Sequence, residues 1–490
     1  MKASSTSLSQ KKRAEWDAAN PAEPRNGYLK ADFRDQDFLS SYLDWYLGWI
    51  ADEVMKYDPD HFRHVNPHQI LETLPEYDFK YLSTILTSLG ASMHLSWHFG
   101  YFERPEYPAG VSMMSDIIRG NAMQNPFWIT ELQGGNVTAS GYKLLCPTAD
   151  EISQWLWTGV SAGAEGIIFW TLNQRKAVCE AGEWGLLTFQ DTASDRLTAA
   201  SGVARTIKQN KALFTDAKPA ESEIAILYNT RSLWIQAKNA ATLKDDVNDA
   251  RQKGAVMKSA AAAYDAISSW GVTPDVRDMA NFDWTNAEGK TVVLPNCISI
   301  PAEFHDGIRT FVRNGGRLVV TGLSGFYDGN MACQFMGGFP LADVFGSELS
   351  EFKVGGRYLW EGFFPDGSTR KESTYGKGSV LWFPSLLNLS LWHKDEAALR
   401  DFYGEACKGS IKSSAISFAE PHESVLVRKM DAGDKVIAVF INKESDTVDI
   451  KLRASVRKPK VIFDNKGGVK ISTGSVRLSP EQCIVTVWDK

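Results

Sequence analysis

Apolar residues in the segment 33–57, FRDQDFLSSYLDWYLGWIADEVMKY, recur at intervals of three and four, which predicts a helix that stops before Asp58-Pro59. β-then-α units follow. Short apolar runs at 62–66, 92–99, 127–132 and 166–172 read as four strands, with helices between them at 78–89 and 149–164. Strands alternating with helices imply a parallel sheet covered by helices. A second α/β pattern begins near 221, with strands at 223–229, 291–296 and 317–322 and helices at 255–272 and 302–316, a doubly wound order. After about 395 the period changes to two. ESVLVRKM, KVIAVFIN, TVDIKL, KVIFDN and CIVTVWD read as an antiparallel β-sandwich. Residues 1–30 are polar and without period, so an irregular lead is expected. The predicted division is 1–30, 31–218, 219–394 and 395–490.

Composition narrows the function classes. In 490 residues, 43% are hydrophobic and 23% charged, the balance of a globular protein. A net charge of −6 with no clustered basic face argues against nucleic acid as a partner. No apolar run approaches the roughly 20 residues of a spanning helix, so no membrane partner is expected. The start has basic residues but no apolar stretch, so no secretory signal is read there and a cytoplasmic location is expected. The six cysteines are scattered without a CxxC pair, which predicts free thiols and no metal site. The 16 tryptophans stand out, because sugar-binding clefts stack pyranose rings on indole faces; large core residues still account for most of them.

The candidate chemistry lies at the predicted strand ends. In NPFWITELQGG, residues 125–135, an apolar strand delivers Glu131 to a Gly134-Gly135 turn. Barrel enzymes carry their reactive groups at such strand ends. The next strand ends in Trp170, followed by Asn173, Gln174, Arg175, Glu180, Glu183 and Trp184. The preceding one ends in Trp97, His98 and Tyr101, and the first is followed by Asn66 and His68. Amide, imidazole, carboxylate and indole groups on four consecutive strand ends suit a carbohydrate cleft. His94 alternates with His98, so one of the two is expected to face the core. Cys297 lacks the flanking glycines of a nucleophile elbow and reads as a buried thiol. No GxGxxG opens the second α/β segment, so no nucleotide and no other cofactor is expected.

From about residue 33 onward the chain resembles glycoside hydrolase family 42, the β-galactosidases. PFWITELQGG with WLWTGVSAGAEGIIFWTLNQR resembles the seventh and eighth strands of that family's barrel. LPNCISIPAEFHDGIRTFVRNGGRLVVTGLSGFYDGN resembles its flavodoxin-like trimerisation domain, and YGKGSVLWFPS with the β-rich end resembles its closing segments. The resemblance implies strands five to eight of a (β/α)8 TIM-type barrel, a flavodoxin-like trimerisation domain, a C-terminal β-sandwich and assembly as a homotrimer. It implies a retaining hydrolase of β-galactosides or related β-glycosides, with Glu131 as nucleophile and Asn66, Trp97, His98, Trp170, Arg175, Glu180, Glu183 and Trp184 around the sugar. Whether Glu180 or Glu183 matches the family's sugar-contacting glutamate is open, and Trp184 stands where the family often has His. Retention needs a second carboxylate about 5–5.5 Å away. The family's acid/base follows an Asn on the fourth strand, and no Asn-Glu pair precedes residue 130; Glu53 and Glu103 do not match. The expectation is an acid/base supplied by a missing N-terminal barrel half, carried by a separate polypeptide or lost by truncation, or alternatively an inactive sugar-binding or assembly protein.

Overall fold

The computed structural model describes residues 2–21, 33–68, 70–73, 76–239 and 254–490. The first α/β unit holds a four-stranded parallel sheet, β1 (His64–Val65), β2 (Ser88–Met93), β3 (Phe127–Gln133) and β4 (Gly166–Trp170), in sequential order. Helices α1 (Lys2–Ala19), α2 (Arg34–Met55), α3 (Ile70–Thr73), α4 (Phe79–Ile85), α5 (Leu95–His98), α6 (Tyr107–Ala122), α7 (Ala149–Ser161) and α8 (Asp195–Gln209) accompany it. Leu89, Ala91, Met93, Phe127, Ile129 and Leu132 point to the helical side and are buried. The other face is open at β4, where Ile168 is half exposed, and among the described residues neither β1 nor β4 has a neighbour on its outer edge. Gly90 is demanded by this curved face. A Cβ there would lie 2.4 Å from His64 Nε2 and 2.7 Å from Thr130 Oγ1, the side chains that cross it from the flanking strands.

Two expectations about this unit change. The strand expected at 92–99 ends at Met93, and 95–98 form one helical turn. Ser96 N donates to Gln133 Oε1 (3.0 Å) and His98 Nδ1 to the Ser92 carbonyl (2.9 Å), contacts that outweigh the local alternation. His94 and His98 therefore stand at i and i+4, and both are buried. In place of an irregular lead, residues 2–19 are helical; residues 22–32 of that stretch lie outside the described residues. Helix α1 docks on α2 through few contacts. Trp16 meets Phe38 edge-on at 5.9 Å, Lys12 lies 4.6 Å from the Trp45 ring centre, and Arg13 pairs with Asp35 at 2.8 Å. Such sparse, mostly polar docking leaves little hydrophobic period to read.

The chain continues through α9 (Lys211–Thr215) and β5 (Lys218–Pro219) into the second sheet. There β6 (Ile224–Tyr228), β7 (Asp275–Asp278), β8 (Thr291–Pro295) and β9 (Arg317–Thr321) are followed by the hairpin β10 (Glu351–Gly355) and β11 (Tyr358–Phe363), then β12 (Lys371–Tyr375) and β13 (Gly378–Phe383). The parallel order β7-β6-β8-β9-β13 is the flavodoxin-like 2-1-3-4-5 order, with β12 antiparallel at the edge. Helices α10 (Thr230–Asn239), α11 (Ala255–Ser268), α12 (His305–Arg313), α13 (Ala342–Phe345), α14 (Leu387–Leu391), α15 (Glu396–Ala406) and α16 (Lys408–Ser413) belong to this part. The last two lie beyond the predicted boundary at 394, yet they pack on the α/β unit. Trp270 Nε1 donates to the Arg400 carbonyl (3.0 Å) and Arg317 Nε to that of Ala406 (2.7 Å).

The β-rich part starts at residue 416. One antiparallel sheet takes Ile416–Phe418, Val448–Ala454, Lys470–Ile471 and Ser475–Leu478. The other takes Val425–Ala432, Lys435–Asn442, Arg457–Asp464 and Cys483–Asp489, with β5 added at its edge. Val427, Phe440, Ile450, Val476 and Trp488 fill the space between them. Arg428 joins the three parts. Its guanidinium makes two 2.8 Å bonds to Asp116 of α6, and Tyr264 of α11 donates to the same carboxylate at 3.0 Å, all fully buried. No helix among the described residues is long and apolar enough to cross a membrane.

Candidate active site

A β-bulge sets the geometry of Glu131. Ala91 pairs with Ile129 but Ser92 pairs with Glu131, so β3 carries one more residue than β2 at this point, and the β3–β4 register breaks there as well. Strict alternation would send Thr130 and Glu131 to opposite faces. The extra residue lets both serve the open face while Ile129 and Leu132 stay in the core. Thr130 Oγ1 donates to Asn66 Oδ1 (2.6 Å) at the end of β1. Glu131 is the only carboxylate in the four strands, and its side chain is 21% exposed.

Ser92 Oγ donates to Glu131 Oε2 at 2.8 Å. The serine is itself held, its N–H on the Pro67 carbonyl (3.1 Å) and its carbonyl on His98 Nδ1 (2.9 Å). His94 Nε2 stands 3.5 Å from the same carboxylate oxygen. Its ring lies 4.6 Å from Trp184 and 5.6 Å from His98. Burial, then repulsion from His98 and His68, pushes His94 down to about 3; burial pushes His98 down to about 4. Both rings are neutral near pH 7, so the contact with Glu131 is not an ion pair. The sequence carries no sign of Ser92, because its role exists only through the β2–β3 register.

The remaining expected residues separate into two groups. Asn66, Trp97 and Trp170 are half-buried, and Arg175 is exposed. The Trp97 ring stands edge-on to exposed Tyr142 at 5.8 Å, and the Arg175 guanidinium lies 4.7 Å from the Trp170 ring centre while pairing with Glu180 at 3.0 Å. The Trp170–Thr171 peptide is cis. Glu183 and Trp184, by contrast, are 3% and 1% exposed. Glu183 accepts from Thr138 N (2.8 Å), Ala139 N (2.7 Å) and Ser140 N (3.2 Å), and from the Thr138 and Ser140 hydroxyls. Against the burial that opposes ionisation, these five donors hold its carboxyl at about 2. Trp184 Nε1 donates to Ser140 Oγ (2.9 Å). The structure thus turns both inward to bind the 138–140 loop, and neither presents a free polar group to the cleft. The Gly-Gly turn after Glu131 has its reason here, since a Cβ on Gly135 would sit 2.3 Å from the Gly185 carbonyl. His68, His94, His98 and Glu131 do not converge as metal ligands. Among the described residues the group close enough to hold an ion is Glu106, His393 and Glu396. Cys297 is buried with its thiol on the Leu227 carbonyl (3.1 Å), and burial pushes it up, far from a thiolate.

The first unit thus holds the strands of half a (β/α)8 barrel, fused to a flavodoxin-like unit and a β-sandwich. The family profile described as β-galactosidase matches residues 34–210, and that of the β-galactosidase trimerisation domain matches 222–357. The chain belongs to glycoside hydrolase family 42 over these two segments. A curated β-galactosidase, bgaB of Geobacillus kaustophilus, is 22% identical over 344 residues, 69% of this chain and 47% of that protein. The chain therefore spans about half the length of the curated relatives it matches. Among solved structures, the family 42 β-galactosidase Gan42B from G. stearothermophilus superimposes with a TM-score of 0.74 at 16% identity, covering 93% of this chain and 68% of that one. The β-galactosidase of Bacillus circulans sp. alkalophilus gives 0.73 at 16%, covering 92% and 67%. At these identities the likeness establishes the fold.

Proposed function

We infer that this chain is the nucleophile-bearing part of a retaining glycosidase acting on β-galactosides or related β-glycosides. The observation that carries the reading is the bulge that turns Glu131 onto the open face, with one oxygen anchored by Ser92. In such a reaction the free carboxylate oxygen attacks the anomeric carbon and the leaving oxygen takes a proton. Water then releases the sugar from the glycosyl-enzyme. Asn66, Trp97, Trp170 and the Arg175–Glu180 pair surround this position as sugar contacts, whereas Glu183 and Trp184 are assigned to the loop beneath. Four further βα units, on a partner polypeptide or in the same protein, would close the barrel and bring the acid/base. Three features support this completion: the edges of β1 and β4, unpaired among the described residues, the exposed apolar side chains Leu39, Tyr46, Trp49, Ile50 and Val54 along α2, and a cavity of about 1100 Å³ beside β4 and α8. The matched trimerisation domain supports a homotrimer.

The test is covalent trapping by an activated aryl 2-deoxy-2-fluoro-β-galactoside, read by intact mass. Such substrates need little protonation of the leaving group. Labelling that survives Glu131→Gln refutes the assignment. A second reading, a sugar-binding or assembly protein without turnover, is favoured by Glu131 being the only carboxylate on the four strands. It predicts carbohydrate binding with no label under any condition.

A further inference from the structure

Among the described residues, His94 is the one whose side chain has two buried polar atoms without a hydrogen-bond partner, Nδ1 and Nε2. A neutral imidazole always carries one N–H, and burying it unpaired is costly. The ring is not loose. Trp184 and His98 lie 4.6 and 5.6 Å away, the side chain is 5% exposed, and its Nε2 stands 3.5 Å from Glu131 Oε2 without a hydrogen bond to it. Ser92 already donates to that same oxygen. We propose that His94 is a positioning residue for Glu131: as the neutral Nε2–H tautomer it closes on Oε2 when a sugar fills the cleft, and with Ser92 it forms a two-donor cradle that leaves Oε1 to attack. This rests on Glu131 being the nucleophile. A neutral donor fits the task, because it orients the carboxylate without the full positive charge that would blunt its attack. Trp184 acquires a purpose as well, as the wall that keeps the imidazole aimed.

Two measurements test it. The first needs no turnover: NMR of the full chain with its eight histidines isotopically labelled. His94 is expected as the neutral Nε2–H tautomer at pH 7, with its Nε2 resonance displaced by Glu131→Leu. An Nδ1–H tautomer, or a resonance indifferent to Glu131→Leu, overturns the proposal. The second is the trapping rate. His94→Phe keeps the ring between Trp184 and His98 but has no donor, and should label about tenfold more slowly, the worth of one hydrogen bond. His94→Gln returns an N–H near the Nε2 position and should recover to within about threefold. Wild-type speed in the Phe variant, or a Gln variant as slow as Phe, refutes the positioning role while the nucleophile assignment stands. If Glu131→Gln still labels, the nucleophile assignment fails and this role with it. If no form labels, the nucleophile assignment fails for this chain, and the spectra still decide the contact.

Discussion

Replacing Glu183 by Gln separates a structural glutamate from a sugar-binding one. The wild-type carboxyl sits at about 2 where an unperturbed glutamate sits at 4.5, because three backbone N–H groups and two hydroxyls of residues 138–140 donate to it. That gap corresponds to about 3 kcal/mol of preference for the charged form in the folded loop. A depressed pKa stabilises above the unfolded value, so the contribution is complete above pH 4.5 and is lost as pH falls toward 2. Gln retains one acceptor oxygen and loses the charge, so about 2–3 kcal/mol of local stability should go. Because the effect is confined to one loop, the readout is local rather than a global melting curve. Hydrogen exchange of the 136–145 segment, corrected for intrinsic rate, should show about 30- to 100-fold less protection at pH 7 in the variant. The difference should shrink steadily between pH 4.5 and 3. Unchanged protection combined with lost sugar binding would show that Glu183 serves the ligand and that the structural argument is wrong.

Other perturbations probe other parts of the chain. Asp116→Asn leaves Arg428 buried without its counter-charge and should cost about 3–5 kcal/mol, seen as a fall in the thermal midpoint; Asp116→Leu with Arg428→Met should recover much of it. Burial, then Asp265, raises Glu106 to about 7, so its stabilising protonated form is complete below pH 4.5 and is lost as pH rises through 7. Glu106→Gln should therefore raise the melting temperature at pH 8, by up to about 3 kcal/mol of stability, and leave it nearly unchanged at pH 4.5. Gly135→Ala drives a methyl into the Gly185 carbonyl and should cost about 1–3 kcal/mol, with faster proteolysis in the 183–187 loop. An equal cleavage rate would show that the two loops part without penalty.

What the sequence determined by itself follows from local period. The three-and-four spacing of 33–57 predicted α2 to within two residues at either end, and the short apolar runs at 127–132, 223–229, 291–296 and 317–322 all became strands. The position of Glu131 near a strand end, among aromatic and polar strand-end residues, was legible from the apolar run that precedes it. The rest needed tertiary structure, because long-range pairing decides it. Nothing local announces a bulge, yet the bulge is what gives Glu131 its face and Ser92 its partner. The alternation of 92–99 suits a strand as well as a helical turn, and Gln133, some 37 residues away, chooses the turn. Glu183 looks like a cleft residue until the 138–140 loop supplies five donors to it, and His94 is undecided until Trp184 closes over its ring. Periodicity reports which side chains share a face of their own element; which groups meet across elements depends on register and loop closure, and those are set only when the whole chain packs.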